Sequence, residues 1–245
     1  MNDLAGWAIG FTLLVPLITT CAKSERHHTG QETAHRHDGE GDLDHQHAET
    51  AVASMASGHP HVGPHFKRTT LRPRNAPDQE RAEQIAHALR ESVAKYKDSR
   101  EAVKDGFEPF LPHLEQARYH FTKKWHAFKG AFRFDPTEPT SLLYKKTADG
   151  YELIGAMYTA PKRMSEEKLN ERVPLSVAQW HAHVNICLPA KREMAAADWT
   201  RFGFKGSIAT EDECDLAGGR WYPQIYGWML HVYPFERAPD KIWTH

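Results

Sequence analysis

The sequence predicts an α+β fold, in which an antiparallel sheet or small barrel has flanking helices. Three observations lead to this prediction. Apolar residues recur at helical spacing at Ile85, Leu89 and Val93. An Asp-Gly turn at Asp149 and Gly150 separates two strand-like segments, as in a β-hairpin. Helical and strand-like segments do not alternate regularly, which disfavours a parallel sheet.

The predicted elements run from a long first helix to an aromatic closing strand. The helix begins at Asp78, a suitable N-cap, and stops at Gly106, which suits the left-handed position after a last turn. A short helix is predicted within residues 190–199, and a capping box at Thr210 begins another helix that ends at Gly218. The predicted strand segments are 107–111, 117–121, 141–145, 151–158, 179–187 and 225–234.

Composition divides the chain into residues 1–21, 22–75 and 76–245. The apolar run from Leu4 to Ile18 is too short to span a bilayer comfortably and has the length of a signal-peptide core. Because Cys21 follows it, the first part is interpreted as an export signal of the lipoprotein type, with Cys21 as the lipidated residue. Cleaved soluble export and an uncleaved anchor stay open as alternatives. The expected location is the cell envelope, periplasmic or extracellular, with a lipid anchor in the membrane.

Residues 22–75 hold nine histidines and almost no large apolar side chains. Such a segment buries too little surface to offset the entropy lost on ordering, so it is predicted to be a disordered tether. Its histidines come mostly in pairs, such as His35 with His37. Neutral imidazole binds Zn, Cu and Ni, and the tether is therefore interpreted as a metal-collecting segment. A soluble spacer is the alternative.

The charges of the chain are balanced, with 31 Lys and Arg against 32 Asp and Glu and a net charge of −1. Binding to nucleic acid needs a basic stripe that displaces counterions from the phosphates. The balance therefore disfavours nucleic acid as a partner. The sequence leaves protein partners undefined.

A His-x-His pair lies in the predicted strand at residues 179–187. Side chains alternate between the two faces of a strand, so His181, His183 and Asn185 are expected on one face. The other face would carry Trp180, Ala182, Val184 and Ile186. Asn185 is expected to orient a ligand or a bound water from outside the coordination sphere.

Two further histidines, His231 and His120, lie on other predicted strands. Buried histidines need partners for their ring nitrogens, and a shared metal ion supplies them. One transition-metal ion, Cu or Zn, is the predicted cofactor, because imidazole alone does not distinguish the two. The predicted ligands are His181, His183, His231 and His120. The alternative is that the His-x-His pair consists of ordinary hydrogen-bonded histidines of a core or cleft.

The chain has three cysteines. If Cys21 carries the lipid, Cys187 and Cys214 remain as an even pair in an oxidising compartment. A disulfide between them is therefore predicted. Two buried free thiols are the alternative.

Seven short motifs follow one another between residues 90 and 235. They are Asp105-Gly106-Phe107, Tyr119-His120-Phe121, the Asp-Pro-x-x-Pro turn from Asp135 to Tyr144, Leu153-Ile154-Gly155, His181-Ala182-His183, Cys214 to Gly219 and Trp228 to Val232. Their order resembles that in an uncharacterised family of secreted or lipoprotein-type bacterial proteins. The resemblance implies secretion and a metal site, and it carries no settled activity.

Two functions fit these predictions. The first is a metal-binding protein that stores, delivers or detoxifies Cu or Zn. The second is a mononuclear metal-dependent hydrolase or oxidoreductase, because three histidines would leave a coordination position open whereas four would close the site. A structural envelope protein without metal is a third possibility. The sequence contains no Gly-x-Ser-x-Gly, His-Glu-x-x-His or Cys-x-x-Cys-His motif.

Overall fold

The computed structural model describes residues 63–112 and 115–244. The predicted export signal with Cys21, and the eight tether histidines that precede residue 63, lie outside these residues. Among the described residues, no helix combines the length and the apolar character that crossing a bilayer requires.

An antiparallel sheet of eight strands forms the centre of the fold. The strands are β1 (Phe66–Arg68), β2 (Glu108–Pro109), β3 (Tyr119–Thr122), β4 (Ser141–Thr147), β5 (Gly150–Ala160), β6 (His181–Leu188), β7 (Arg220–Gln224) and β8 (Trp228–Val232). Their spatial order is β1-β6-β8-β5-β4-β3-β2, and β7 pairs with β6 off this path. The predicted α+β class, with an antiparallel sheet and flanking helices, is confirmed, and the sheet is open.

Helices connect and cover the strands. They are α1 (Ala76–Val93), α2 (Ser99–Lys104), α3 (Lys124–Phe132), α4 (Glu166–Arg172), α5 (Glu211–Leu216) and α6 (Pro239–Ile242). Two 3-10 helices span Ala94–Lys97 and Lys191–Ala196. Thr210 caps α5 as predicted, because its hydroxyl accepts a hydrogen bond from the Glu213 amide at 3.4 Å.

Helix α1 differs from its prediction at both ends. Asn75 is the N-cap, since its side-chain oxygen accepts a hydrogen bond from the Asp78 amide at 2.9 Å. The predicted cap, Asp78, lies in the first turn. The helix ends at Val93, and the side chain of Asp98 caps the separate helix α2. The prediction of one continuous helix is therefore wrong, although Gly106 does follow α2 with a left-handed φ of 87°.

The apolar stripe of α1 packs on one face of the sheet and forms the main core. Ile85, Leu89 and Val93 are buried there, as their spacing predicts. Burial of each such side chain contributes about 1.5 to 3 kcal/mol. The hydroxyl of Tyr144 on β4 donates to the carbonyl of Tyr96 at 2.7 Å and joins the 3-10 helix after α1 to the sheet. With this face filled by α1, the opposite face of the sheet is left for other contacts.

The predicted β-hairpin is confirmed by strands β4 and β5. Thr147 lies opposite Gly150, and the two strands pair in register back to Ser141 and Met157 apart from one irregularity after Leu143. Gly150 has a φ of 138°, a conformation that side chains rarely adopt. The Asp-Gly pair therefore fixes the turn and the register of the hairpin.

The sequence predicted a tether up to residue 75, but the structure has a strand, β1, before that point. Strand β1 pairs antiparallel with β6. The buried ring of His65 lies 2.7 Å from the carbonyl oxygen of Asn185 through Nδ1, and 2.7 Å from that of Gly206 through Nε2. His65, predicted as the last tether histidine, thus has a structural place beside β6.

Cys187 and Cys214 form the predicted disulfide, with their Cα atoms 5.6 Å apart. The bond joins β6 to α5 across a sequence separation of 27 residues. In the chain-entropy model a loop of this length stabilises the fold by about 3 to 4 kcal/mol. Gly219 lies against both sulfurs, and a Cβ at this position would approach the sulfur of Cys214 to 2.8 Å and that of Cys187 more closely still.

Substitution Gly219→Ala is therefore expected to lower the free energy of unfolding by about 1 to 3 kcal/mol, because the added methyl group overlaps the disulfide. Urea denaturation of the oxidised protein measures this change. Gly130→Ala in α3 is the matched control, since its Cβ would find its nearest neighbour at 3.6 Å. The control is expected to keep or raise the stability by up to about 1 kcal/mol. Equal effects of the two substitutions would contradict the assigned packing.

Candidate metal centre

The candidate site lies on the sheet face that points away from α1. Residues opposite each other on antiparallel strands share a face, as do residues two apart in one strand. His181 lies opposite Met229 of β8, and His231 lies opposite Met157 of β5. This register brings His181, His183 and His231 to one face of the sheet.

His120 reaches the same face from β3. It lies opposite Leu143, whose side chain packs with the two methionines of this face. The ring centroids of His120 and His231 are 5.7 Å apart, and those of His231 and His181 are 5.2 Å apart. The ring of His183 follows at 6.0 Å from that of His181. The four histidines predicted as ligands therefore form one continuous cluster, called the histidine cluster below.

Aromatic side chains surround one end of the histidine cluster. Phe66 of β1 stacks on His181 at 5.1 Å between ring centroids. Phe204 meets His183 edge-on at 4.7 Å, and Tyr226 lies 6.5 Å from the same ring. His181, His183 and His231 are buried. These contacts restrict the orientation of the imidazoles and surround them with apolar atoms.

All four histidines line a single cavity of about 580 Å³. Helix α3 contributes the small side chains of Ala127 and Ala131 to its wall, while the aromatic residues Trp125, Phe128 and Phe132 of the same helix are exposed to solvent. Small residues on the inner side of α3 keep this space open. The volume lies within the range of small-molecule sites, and a single metal ion fills little of it.

The cavity wall carries positive but no negative side chains among the described residues. Its cations are Arg118 and Lys162. Burial, together with the positive charge of Arg118, lowers the pKa of His120 to about 4. His120 is therefore neutral at pH 7, and neutral imidazole is the form that binds metal ions.

Asn185, predicted to orient a ligand or bound water, contacts the start of the described fold. Its side-chain amide donates to the carbonyl of Pro64 at 2.8 Å, and its own carbonyl accepts from the ring of His65 at 2.7 Å. The backbone of Asn185 is left-handed, with a φ of 56°, which asparagine tolerates better than most residues. In this structure Asn185 holds the segment before β1 against β6.

The left-handed residue changes which face the following side chains occupy. Ala182 and Val184 pack with the core under α1. Ile186 was predicted to share their face, but it packs with Leu188 and Phe204 in a separate cluster. The predicted alternation is therefore wrong beyond Val184, because the backbone turns at Asn185.

The donor chemistry of the histidine cluster fits Cu or Zn. At metal–nitrogen distances of 2.0–2.1 Å, two imidazoles on a tetrahedral ion have ring centroids roughly 5 Å apart. The observed separations of 5.2, 5.7 and 6.0 Å are slightly larger. In residues 63–112 and 115–244, no three His, Cys, Asp or Glu side chains already have the arrangement of a metal site. Metal binding would therefore require side-chain rotations that bring the rings closer together.

The sequence analysis assigned no role to four other side chains of the cavity wall, which are Arg118, Lys162, Met157 and Met229, although the strand pattern places Met229 on the same face as His231. Two of them carried a signal in their spacing. Arg118 precedes His120 by two residues, and Met229 precedes His231 by two. The other two reach the cavity through the strand pairing of β5 and the segment after it, which local spacing does not encode.

The chain matches no protein-family model, no curated protein and no solved structure. The resemblance to secreted or lipoprotein-type proteins stays a prediction that rests on the motifs. The function proposed below depends on the geometry of the histidine cluster and its cavity.

In the metal-free protein, stability is expected to fall as the pH is lowered from about 6.5 to about 4. The pKa of His120 is near 6.5 in the unfolded chain and about 4 in the folded one, so the unfolded state binds more protons in this window. The loss is at most about 3 kcal/mol, since His120 keeps some contact with solvent. Urea denaturation at pH 7, 5.5 and 4.5 measures it.

Substitution His120→Gln is expected to make this pH dependence shallower. The matched control is His87→Gln, which changes an exposed histidine of α1. The control should lose as much stability between pH 7 and pH 4.5 as the unsubstituted protein. An unchanged slope in His120→Gln would contradict the assigned burial of the His120 ring.

Proposed function

We propose that this chain is an exported, lipid-anchored metal-binding protein that holds one Cu or Zn ion in its folded domain. The proposed ligands are His181, His183, His231 and His120. The observation that carries the proposal is the convergence of these four imidazoles, from three strands, on one cavity. Location in the periplasm or outside the cell, with the lipid on Cys21, belongs to the same proposal.

The environment of the histidine cluster supports metal binding. The cluster is surrounded by apolar and aromatic atoms, where ring nitrogens need strong partners. The low pKa of His120 leaves that ring deprotonated, so a metal ion would not compete with a proton at neutral pH. A bound ion would satisfy several imidazoles at once.

Two thioethers support copper as the first metal to test. Met157 and Met229 line the same cavity as the histidines and are their cross-strand neighbours. Soft sulfur ligands favour copper(I), whereas imidazole serves both copper and zinc. Zinc remains the comparison metal.

The proposed role of the tether is to collect ions for the folded site. Its eight histidines before residue 63 offer many ligands for such ions. In the folded domain the four imidazoles already line one cavity, so fewer degrees of freedom would be lost when they bind an ion.

A metal-dependent enzyme is the second candidate, and the size of the cavity favours it. A volume of about 580 Å³ leaves room for an organic molecule beside an ion. In this case three histidines would hold the metal, and the metal would supply Lewis-acid or redox chemistry at its open position. Storage alone gives no reason for so large a space.

Metal content tests the proposal directly. The full-length chain is prepared with the eight histidines before residue 63 replaced by asparagine, so that bound metal reports on the folded domain. After loading with copper or zinc and dialysis, about one ion per chain is expected by mass spectrometry of the elements. Substitution His181→Ala or His231→Ala should weaken binding at least about 10-fold, because changes outside the coordination sphere already have effects of this size.

The matched control is His87→Ala, which removes an exposed histidine far from the cluster in sequence. It should bind metal like its parent. Circular dichroism and urea denaturation establish that each variant is folded. If folded His181→Ala and His231→Ala variants keep the parent's metal content, the proposed ligand set is wrong.

A further inference from the structure

We propose that the cavity beside the histidine cluster binds a small organic anion with an apolar body, of the aliphatic carboxylate class. This inference goes beyond metal binding. It rests on the size of the cavity and on the cations of its wall, and it does not require that a metal be bound.

The shape and lining of the cavity suit an apolar molecular body. Its volume of about 580 Å³ is that of a small-molecule site. Alanine, methionine and aromatic side chains make up much of the wall, including Ala127, Ala131 and Met157. Apolar surface that a ligand covers is the main source of affinity in such sites.

The charge of the wall selects an anion. Arg118 and Lys162 both line the cavity, and no aspartate or glutamate among the described residues does so. Neither cation forms a salt bridge within the part of the chain that the structure describes. The guanidinium of Arg118 lies 5.7 Å from the ring centre of Tyr233, and the ammonium of Lys162 donates to the carbonyl of Gln224 at 3.0 Å. These contacts use only part of the donors of the two groups.

Five neutral polar side chains of the wall already make hydrogen bonds within the protein. The hydroxyls of Thr122 and Ser141 are 2.8 Å apart, and those of Thr140 and Thr159 are 2.9 Å apart. The buried amide of Gln116 donates to two backbone carbonyls at 2.8 and 2.9 Å. Besides the histidines and Tyr226, the wall offers a charged ligand group Arg118 and Lys162.

A carboxylate matches these cations. Guanidinium and ammonium groups form their strongest hydrogen bonds with carboxylate oxygens. Arg118 is half-buried, whereas Lys162 is exposed to solvent. The wall would meet the carboxylate with Arg118 and the aliphatic chain with its apolar residues. Arg118 lies beside Tyr233, after the end of β8, whereas Lys162 lies beside Gln224, before the start of β8, so one carboxylate does not reach both cations. An amine of the same length would bring a third positive charge into the cavity.

Binding of three eight-carbon probes tests the inference. Octanoate, octan-1-ol and octylamine are titrated into the full-length protein by isothermal titration calorimetry, below the concentrations at which they aggregate. Octanoate is expected to bind at least about 10-fold more tightly than octan-1-ol, as charge-assisted bonds predict. Octylamine should bind more weakly than either. Equal affinities of the three probes would overturn the inference.

Variants locate the interaction. Arg118→Met should weaken octanoate binding about 10-fold and leave octan-1-ol unchanged. Arg118→Lys should restore part of the loss, and Lys162→Met should have the smaller effect. Arg192→Met, at an exposed arginine paired with Glu193, is the matched control and should have no effect. Ala131→Phe fills the cavity and should weaken both probes. If none of these cavity variants changes the affinity for octanoate, the inference is overturned.

Titrations after metal removal and with one equivalent of zinc separate this inference from the proposed function. Octanoate binding that depends on Arg118 in protein that retains no metal would support the anion site while the metal proposal fails. Metal binding without octanoate binding would support the metal proposal and overturn the anion site. If octanoate binds only in the presence of zinc and Arg118→Met has no effect, the carboxylate binds the metal, and the assignment to the cations is wrong.

Discussion

The pairing of β6 with β8 is the constraint on which the candidate site depends. His181 lies opposite Met229 in this pairing, so β6 and β8 carry their histidines on the same face although they are distant in sequence. The hairpin of β4 and β5 extends this face to β3 and His120. Because α1 covers the other face, the histidines do not compete with the main core for space. A shift of register by one residue would turn them into that core.

Helix α3 turns this face into a cavity, and two further features support β6 beside it. The small residues Ala127 and Ala131 of α3 leave a gap above the sheet, where larger side chains would close it. Phe66, carried by β1, packs against His181. The disulfide of Cys187 holds the far end of β6 in place. The histidines and the apolar walls thus come from separate elements and meet only in the folded chain.

Much of this arrangement could be predicted from local patterns. Alternation in strands predicted that His181 and His183 share a face, an Asp-Gly turn predicted the hairpin, and cysteine counting predicted the disulfide. The addition of β1 and the change of face at Asn185 could not be predicted, because they depend on long-range pairing and on one left-handed residue. The cations of the wall were missed for a related reason. Lys162 lies in a loop, where no periodicity assigns a direction to its side chain.

The most direct test of the central claim is the position of a bound metal. Crystals of the full-length protein soaked in zinc or copper are measured at the absorption edge of the metal. An anomalous difference peak about 2.0 Å from ring nitrogens of at least three residues of the histidine cluster is expected. If the crystals contain metal but the peaks lie only in other parts of the chain and not at the histidine cluster, the proposed site is contradicted.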